Sequence, residues 1–438
     1  MEKILVISYR FPPADETGTL RTWALAKYMK DMGYYPIFVT RNWSHPLKKL
    51  DDMHVPVGEK IEHEKNENYE VFILPHKNLL KLRIHRQFKS KHTYIRQFFN
   101  LIDYILMLFG IFWLNEYNAF IKKASEIAAA DPSIRKAIVI TDPYPLFSVG
   151  YFLHKRFGIK WLADYRDDWN TRQVNDTYNF KPTKMHRFVQ SLTRKMEQKW
   201  VKTASFVTSV SDEYTNRIAR FVDVPGHTIY NGFFEEDYAP ILAQPKQQSV
   251  NQKFTIVHNG SLYPQQAIEP FLNAFKRVVD EHKDKVDIIV KFLGVTYKPG
   301  SKERIESNMK GYEKYVTCTD RISQRELFNE IHEAQLALLI SFGREFKGLA
   351  TSKIFDYLAL HKPVLCFPPD GDVVEKILTE TRLGYLCENE ADIYDFLKSS
   401  ISNLTALGEV QTDANEAEIM KYSRKNQTKK IVSLIASM

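Results

Sequence analysis

Short apolar runs alternate along this chain with stretches whose apolar residues recur every three or four positions. "KILVIS" (3–8) is rich in Ile and Val, the mark of a strand buried on both faces. Leu20, Trp23, Ala24, Ala26, Lys27 and Met29 then follow helical spacing up to Gly33, a C-cap residue, before a second strand, "PIFVTR" (36–41). Strand, helix, strand predicts a βαβ unit and a parallel sheet. "KAIVIT" (136–141), "KWLADYRD" (160–167), "ASFVTSVS" (204–211) and "HTIYNG" (227–232) repeat the pattern, so residues 1–237 read as a doubly wound domain.

Residues 238–253 carry two prolines and four glutamines with little periodicity, as a linker would. A second series follows: "FTIVHNGS" (254–261), "VDIIVKFLG" (286–294), "KYVTCTD" (314–320), "LALLISF" (336–342) and "KPVLCFP" (362–368), which defines a second α/β domain over 254–415. Residues 416–438 form a last helix that pattern alone leaves unassigned.

One insertion, 77–117, interrupts the alternation. Lys77 to Arg96 holds seven basic residues and no acid; "FFNLIDYILMLFGIFWL" (98–114) follows. With Asn100 and Asp103 inside, that run is too short and polar to span a membrane. Two readings stay open: a helix buried against the sheet, or a basic amphipathic surface resting on an anionic membrane.

Length changes the picture little: 438 residues suit two domains. The net charge of +8 suits an anionic partner. Nucleic acid is disfavoured, because the basic residues cluster in one insertion without RNA-binding aromatic motifs. Cys318, Cys366 and Cys387 are the only cysteines, too few and too scattered for a disulfide scaffold or zinc site. The opening reads as a strand rather than a signal peptide, so a cytoplasmic protein is expected.

Ligands of open parallel sheets bind beyond the carboxyl ends of the strands. Thr17-Gly18 follows the first strand, where glycine admits a phosphate or sugar; an ordinary turn is the bland alternative. Asn259, Gly260 and Ser261 hold the equivalent place in the second half. Thr351 and Ser352 are N-cap types, placing Lys353 in a helix's first turn with Asp356 on the same face. That cation and carboxylate suit a nucleoside diphosphate, or else a surface ion pair. "LADYRDDWN" (162–170) crowds Asp164, Asp167 and Asp168 around Arg166, for proton transfer or for a structural salt-bridge knot. "PDGD" (369–372) looks like a metal motif, but turn and N-cap chemistry explain it. There is no Walker loop, HExxH or Gly-x-Ser-x-Gly elbow.

In order and spacing, "FPPADETGTLRTWALAKYMKDMGY", "LADYRDDW", "SVSDEY", "YNGF", "NGSLYPQQAIEPFLNAF", "TSKIFDYLALHKPVL" and "YSRKNQTKKI" resemble family 4 glycosyltransferases across nearly the whole chain. The resemblance implies the GT-B fold, two facing Rossmann-like doubly wound parallel-sheet domains with an interdomain cleft. It implies a retaining enzyme that moves a sugar from a nucleoside-diphosphate sugar, such as a UDP-sugar, to a glycan or lipid-linked acceptor in cell-surface polysaccharide synthesis. No cofactor or metal is implied. The diphosphate would lie near Asn259, Gly260, Ser261, Thr351, Ser352 and Lys353, the ribose at Asp356, the base near Arg321 and Ile322, with Thr17-Gly18 across the cleft. Lys353 would act in catalysis, with Asp164, Arg166 and Asp167 on the acceptor side. The final helix would cross back to the first domain. The acceptor and the basic insertion together imply peripheral contact with the inner face of a membrane through 77–114.

The chain departs from that family. Leu262 or Tyr263 and Gln265 replace an expected Arg and Lys, leaving Lys353 to meet the diphosphate, with Arg344 or Arg10 as helpers. Gly348 stands where a first glutamate is usual, with Glu345 nearby, and the first-domain histidine is missing. Two alternatives follow: a nucleotide-sugar 2-epimerase, or a non-catalytic nucleotide-sugar-binding protein of the same fold.

Overall fold

A computed structural model describes residues 1–14, 17–43, 55–77, 79, 83, 93–171, 183–244, 253–349 and 351–438. The chain divides into two compact units, one of residues 1–230 with 427–438 and one of residues 231–426.

The first unit begins with β1 (Glu2–Ser8), α1 (Thr17–Tyr28) and β2 (Tyr34–Arg41). Gly33 ends the turn after α1 at φ 89°, a left-handed conformation that glycine adopts without a Cβ penalty. Two further strands come next, β3 (Glu62–Lys65) and β4 (Glu70–Leu74), and the apolar pattern hides the first. β3 reads "EHEK", is exposed throughout and pairs antiparallel with β4. A charged edge strand has no apolar face to betray it, and its charges discourage edge-to-edge aggregation.

Then come α2 (Thr93–Leu108), α3 (Tyr117–Ala130), β5 (Lys136–Ile140), α4 (Phe147–Phe157), β6 (Lys160–Arg166), α5 (Lys184–Val201), β7 (Phe206–Ser209), α6 (Asp212–Val222) and β8 (Gly226–Thr228). The sheet runs β3-β4-β2-β1-β5-β6-β7-β8, parallel except for β3. Val6 lies between Phe38 and Ile138 in the sheet, and Ile4, Leu5, Val6 and Ile7 are all buried, so the central strand is apolar on both faces. The insertion is helical only to Leu108. The basic stretch expected at 77–96 falls mostly outside the described residues.

The second unit opens with α7 (Glu235–Leu242). This corrects the expected linker: the change of unit falls after Tyr230, and residues from 235 fold as a helix because Tyr238 and Ile241 are buried. Residues 245–252 of that linker lie outside the described residues. Next come β9 (Lys253–Asn259), α8 (Glu269–His282), β10 (Asp287–Leu293), α9 (Ser301–Asn308), β11 (Val316–Cys318), α10 (Gln324–Glu333), β12 (Leu336–Ile340), α11 (Lys353–Ala359), β13 (Val364–Phe367), α12 (Val373–Thr381), β14 (Gly384–Leu386), α13 (Glu390–Leu407) and α14 (Glu416–Met420). The order β11-β10-β9-β12-β13-β14 is all parallel, with the direction of winding reversing between β9 and β12. Phe254, Ile256, Phe271, Phe275, Leu338 and Leu365 fill its core. The last helix, α15 (Arg424–Ser437), places Ile431 and Ile435 in the core of the first unit.

Candidate active site

In the second unit, the winding reverses beside β9, and the residues at that strand's carboxyl end converge there. Gly260 follows β9 at φ 74°, and a Cβ built on it would stand 3.2 Å from Cε of Lys353. Glycine is therefore required twice, for its backbone angle and for the close approach. Lys353, the first residue of α11, donates from Nζ to the Ser261 carbonyl at 2.7 Å and lies 3.1 Å from Nε2 of His258. Nδ1 of His258 sits 3.0 Å from the Leu338 carbonyl. A carbonyl only accepts, so Nδ1 carries the proton and Nε2 accepts from the lysine. Burial, then the Lys353 charge, hold the imidazole well below its ordinary pKa and keep it neutral. Burial also lowers the Lys353 amine to about 7. A lysine so poised regains its charge when an anion arrives.

Gly294, after β10 at φ 77°, borders both Gly260 and Arg321. The exposed Arg321 and half-buried Ile322 thus lie at the rim formed by the ends of β9, β10 and β11. Thr351 is half-buried and Ser352 exposed. Ser352 holds the N-cap position of α11 with helical dihedrals and no side-chain cap bond, contrary to its expected capping role.

Asp356, expected at a ribose, has two protein partners. Its Oδ1 accepts from Tyr238 at 2.5 Å and its Oδ2 from Asn259 at 3.0 Å. Burial raises its pKa to about 6, against those two bonds. The carboxylate therefore ties α11 to α7 and to the end of β9, and a sugar hydroxyl would have to compete for it. Tyr357 completes the tie, donating to Asn259 Oδ1 at 2.8 Å.

Arg344 pairs with Glu388 at 2.5 Å, which directs it toward that carboxylate. The "PDGD" turn is a cap, as expected: Asp370 accepts the amides of Asp372, Val374 and Glu375 at 3.1, 3.0 and 2.9 Å.

In the first unit, the winding reverses between β1 and β5. Arg10, after β1, makes two 3.2 Å bonds to the Asp142 carboxylate, just beyond β5. Arg166, at the end of β6 with φ 60°, donates to Asp167 at 3.0 Å and lies 3.8 Å from Asp142. Gly18, in the first turn of α1, leaves room for both guanidiniums: a Cβ there would meet Arg166 Nη1 at 2.3 Å and Arg10 Cδ at 2.7 Å. Thr17 beside it is exposed. Arg166, Asp167, Thr17 and Gly18 are thus brought together, joined by Arg10 and Asp142.

Asp164 does not join them, which corrects its expected catalytic role. It is fully buried and accepts from Arg21 at 2.7 Å and Thr208 at 3.0 Å. Arg21 also donates to the Ile229 and Tyr230 carbonyls at 2.5 and 3.2 Å. The strand register shifts between Asp164 and Arg166, and Asp164 is turned inward against Arg21 of α1. Asp168 is likewise buried, beside Arg217.

Sequence reasoning passed over His258, Gly294, Tyr238 and Asp142. His258 stood inside a quoted motif, and a histidine two residues before a glycine at a strand end was the one available signal. Among the described residues, no group of His, Cys, Asp and Glu could hold a metal ion.

Residues 253–403, from β9 into α13, match the family model described as "Glycosyl transferases group 1". No curated protein sequence matches the chain. Among solved structures, an alpha,alpha-trehalose-phosphate synthase (UDP-forming) from Burkholderia vietnamiensis superposes with TM-score 0.61 at 12% identity, covering 100% of this chain and 97% of that one. A structure titled "Trehalose-6-phosphate from E. coli bound with UDP-2-fluoro glucose" gives 0.59 at 9%, covering 100% and 99%. A glycosyltransferase from Rickettsia africae ESF-5 gives 0.57 at 13%, covering 99% and 98%. The fold is GT-B, built from two parallel-sheet α/β units. With the family match, the second unit carries a glycosyltransferase group 1 domain.

Proposed function

We propose that this is a retaining family 4 glycosyltransferase that takes a sugar from a UDP-sugar or a related nucleoside-diphosphate sugar and passes it to a glycan or lipid-linked acceptor. The observation that carries the reading is the cluster of Lys353, His258, Ser261 and Gly260 at the reversal point of the second sheet. An ammonium with two of its hydrogens engaged there has its third available to a phosphate oxygen. The backbone at Gly260 admits the close approach that a diphosphate needs.

In a retaining transfer, the acceptor oxygen attacks the face from which the diphosphate departs, and the protein's work is to place both and to stabilise leaving-group charge. Lys353 supplies that charge. Arg321 and Ile322 stand where a base would lie. In the first unit, Arg10 and Arg166 lie beside Gly18 with their charges shared with Asp142 and Asp167. The reading requires no metal, and activity is expected to persist in chelator. The acceptor belongs to cell-surface polysaccharide synthesis at the inner face of a membrane, with peripheral contact through 77–114.

Thermal-shift screening against nucleotide sugars finds the donor, and NMR of the donor with and without acceptor then follows the reaction. Acceptor-dependent release of nucleoside diphosphate with an unchanged anomeric configuration is expected. Epimerised donor appearing without acceptor, or binding with no turnover, would overturn the reading.

A further inference from the structure

The first unit carries an exposed apolar surface where α2 and α5 pack together, and the insertion accounts for only part of it. α2 ends at Leu108, whose carbonyl accepts from Lys199 of α5 at 3.0 Å. The chain then turns through Gly110 at φ 81°, and Phe112 buries its ring 5.8 Å from that of Phe152 and 6.2 Å from that of Trp200. With Phe112 as anchor, its neighbours are turned outward: Phe109 is 73% and Trp113 65% exposed. α2 itself exposes the aromatics Tyr94 and Phe98, and the first turns of α5 expose Met185 and Phe188. Single exposed apolar residues are ordinary, but such a concentration on two packed helices marks an interaction surface.

The charge on the same helices says what covers it. Lys184, Arg187, Lys195 and Lys199 of α5 are all exposed. The only acids in the two helices, Asp103 and Glu197, are buried and bonded inside, to Asn115 at 2.8 Å and to Tyr165 at 2.8 Å. The pair thus shows water large apolar side chains and cations but no carboxylate. Aromatic and aliphatic groups flanked by cations suit an interfacial element that inserts apolar tips among anionic headgroups.

We propose that α2, the 109–113 turn and α5 form one docking surface for an anionic lipid bilayer. This deepens the membrane contact of the proposed function by adding α5, which carries no insertion sequence. It stands on the first unit alone and does not depend on the donor site. Burying Phe109, Trp113 and Phe188 in the headgroup layer supplies the apolar part of the affinity, and Lys184 and Arg187 supply the salt-sensitive part.

The full chain is mixed with vesicles of phosphatidylcholine alone or with phosphatidylglycerol added, and flotation is measured at low and high salt. Wild type is expected to float with the anionic vesicles, less at high salt, and not with the neutral ones. Phe109→Ser with Trp113→Ser, at exposed positions, is expected to weaken flotation by ~10-fold or more. Lys184→Glu with Arg187→Glu is expected to weaken it by roughly 25-fold or more, from about fivefold per cation lost. Circular dichroism confirms that each variant is folded, and Lys353→Ala is expected to float like wild type. Failure of wild type to float with anionic vesicles overturns the proposal. So does flotation that survives the 109/113 change or the 184/187 change.

Discussion

Nζ of Lys353 and Nε2 of His258 stand 3.1 Å apart, a cation facing an imidazole that can only accept. The pair makes the lysine's charge conditional. With its pKa near 7, Lys353 is charged in the free protein below about pH 7 and must take up a proton to hold a diphosphate above it. Donor affinity is expected to fall as pH rises above 7, by up to ~10-fold per unit. A nucleotide sugar, whose phosphates do not titrate near 7, is the ligand to use. Calorimetry in buffers of different ionisation heat should show proton uptake near pH 8, and Lys353→Met should abolish both effects.

Removing the amine altogether tests its part in the chemistry. Lys353→Ala is expected to lower turnover by more than ~10-fold, the scale of losing one preorganised donor. The measurement is kcat at saturating donor in the purified, folded variant; near-normal turnover would remove Lys353 from the reaction.

Gly260→Ala should act through the same side chain. The added methyl would stand 3.2 Å from Lys353 Cε at a backbone angle of +74° that alanine resists. Backbone strain of ~1 kcal/mol is expected. Donor affinity should fall with the lysine's displacement, while the apparent Tm drops only slightly.

Asp164 and Asp167 sit three positions apart on one segment and should behave oppositely. Asp164→Ala leaves Arg21 as an unpaired charge inside the first unit, at a cost of about 3–5 kcal/mol. Loss of soluble protein or a steep fall in Tm is expected. Asp167→Asn touches a partly exposed pair with Arg166, so Tm should hold and any loss should appear in kinetics.

Glu197 sets a pH dependence of stability in the first unit. It is fully buried, bonded to Tyr165 and to Asn170, and burial raises its carboxyl to about 7 against an ordinary 4.5. The folded state thus binds a proton that the unfolded chain has already released. Its contribution is fully present below pH 4.5 and is lost as pH rises through 7. Glu197→Gln should raise the apparent Tm at pH 8, recovering on the order of 2–3 kcal/mol, with the gain vanishing near pH 4. Equal curves for both proteins would refute it.

By itself the sequence determined the alternation of buried strands and helices, the two α/β halves, the capping aspartate at 370 and the glycine-bearing loop after β9. All of these follow from local spacing, since a strand buried on both faces or a left-handed glycine is written in neighbouring residues. It hid β3, whose charged side chains leave no period to read. Only the tertiary structure decided which polar side chains meet. It drew Asp164 under α1 to Arg21, gave Asp356 to Tyr238 and Asn259, and set His258 against Lys353. Those partners lie between 95 and 143 positions apart in the first and last of these pairs. Hydrogen bonds across such separations are set by strand order and helix packing, which no local pattern encodes.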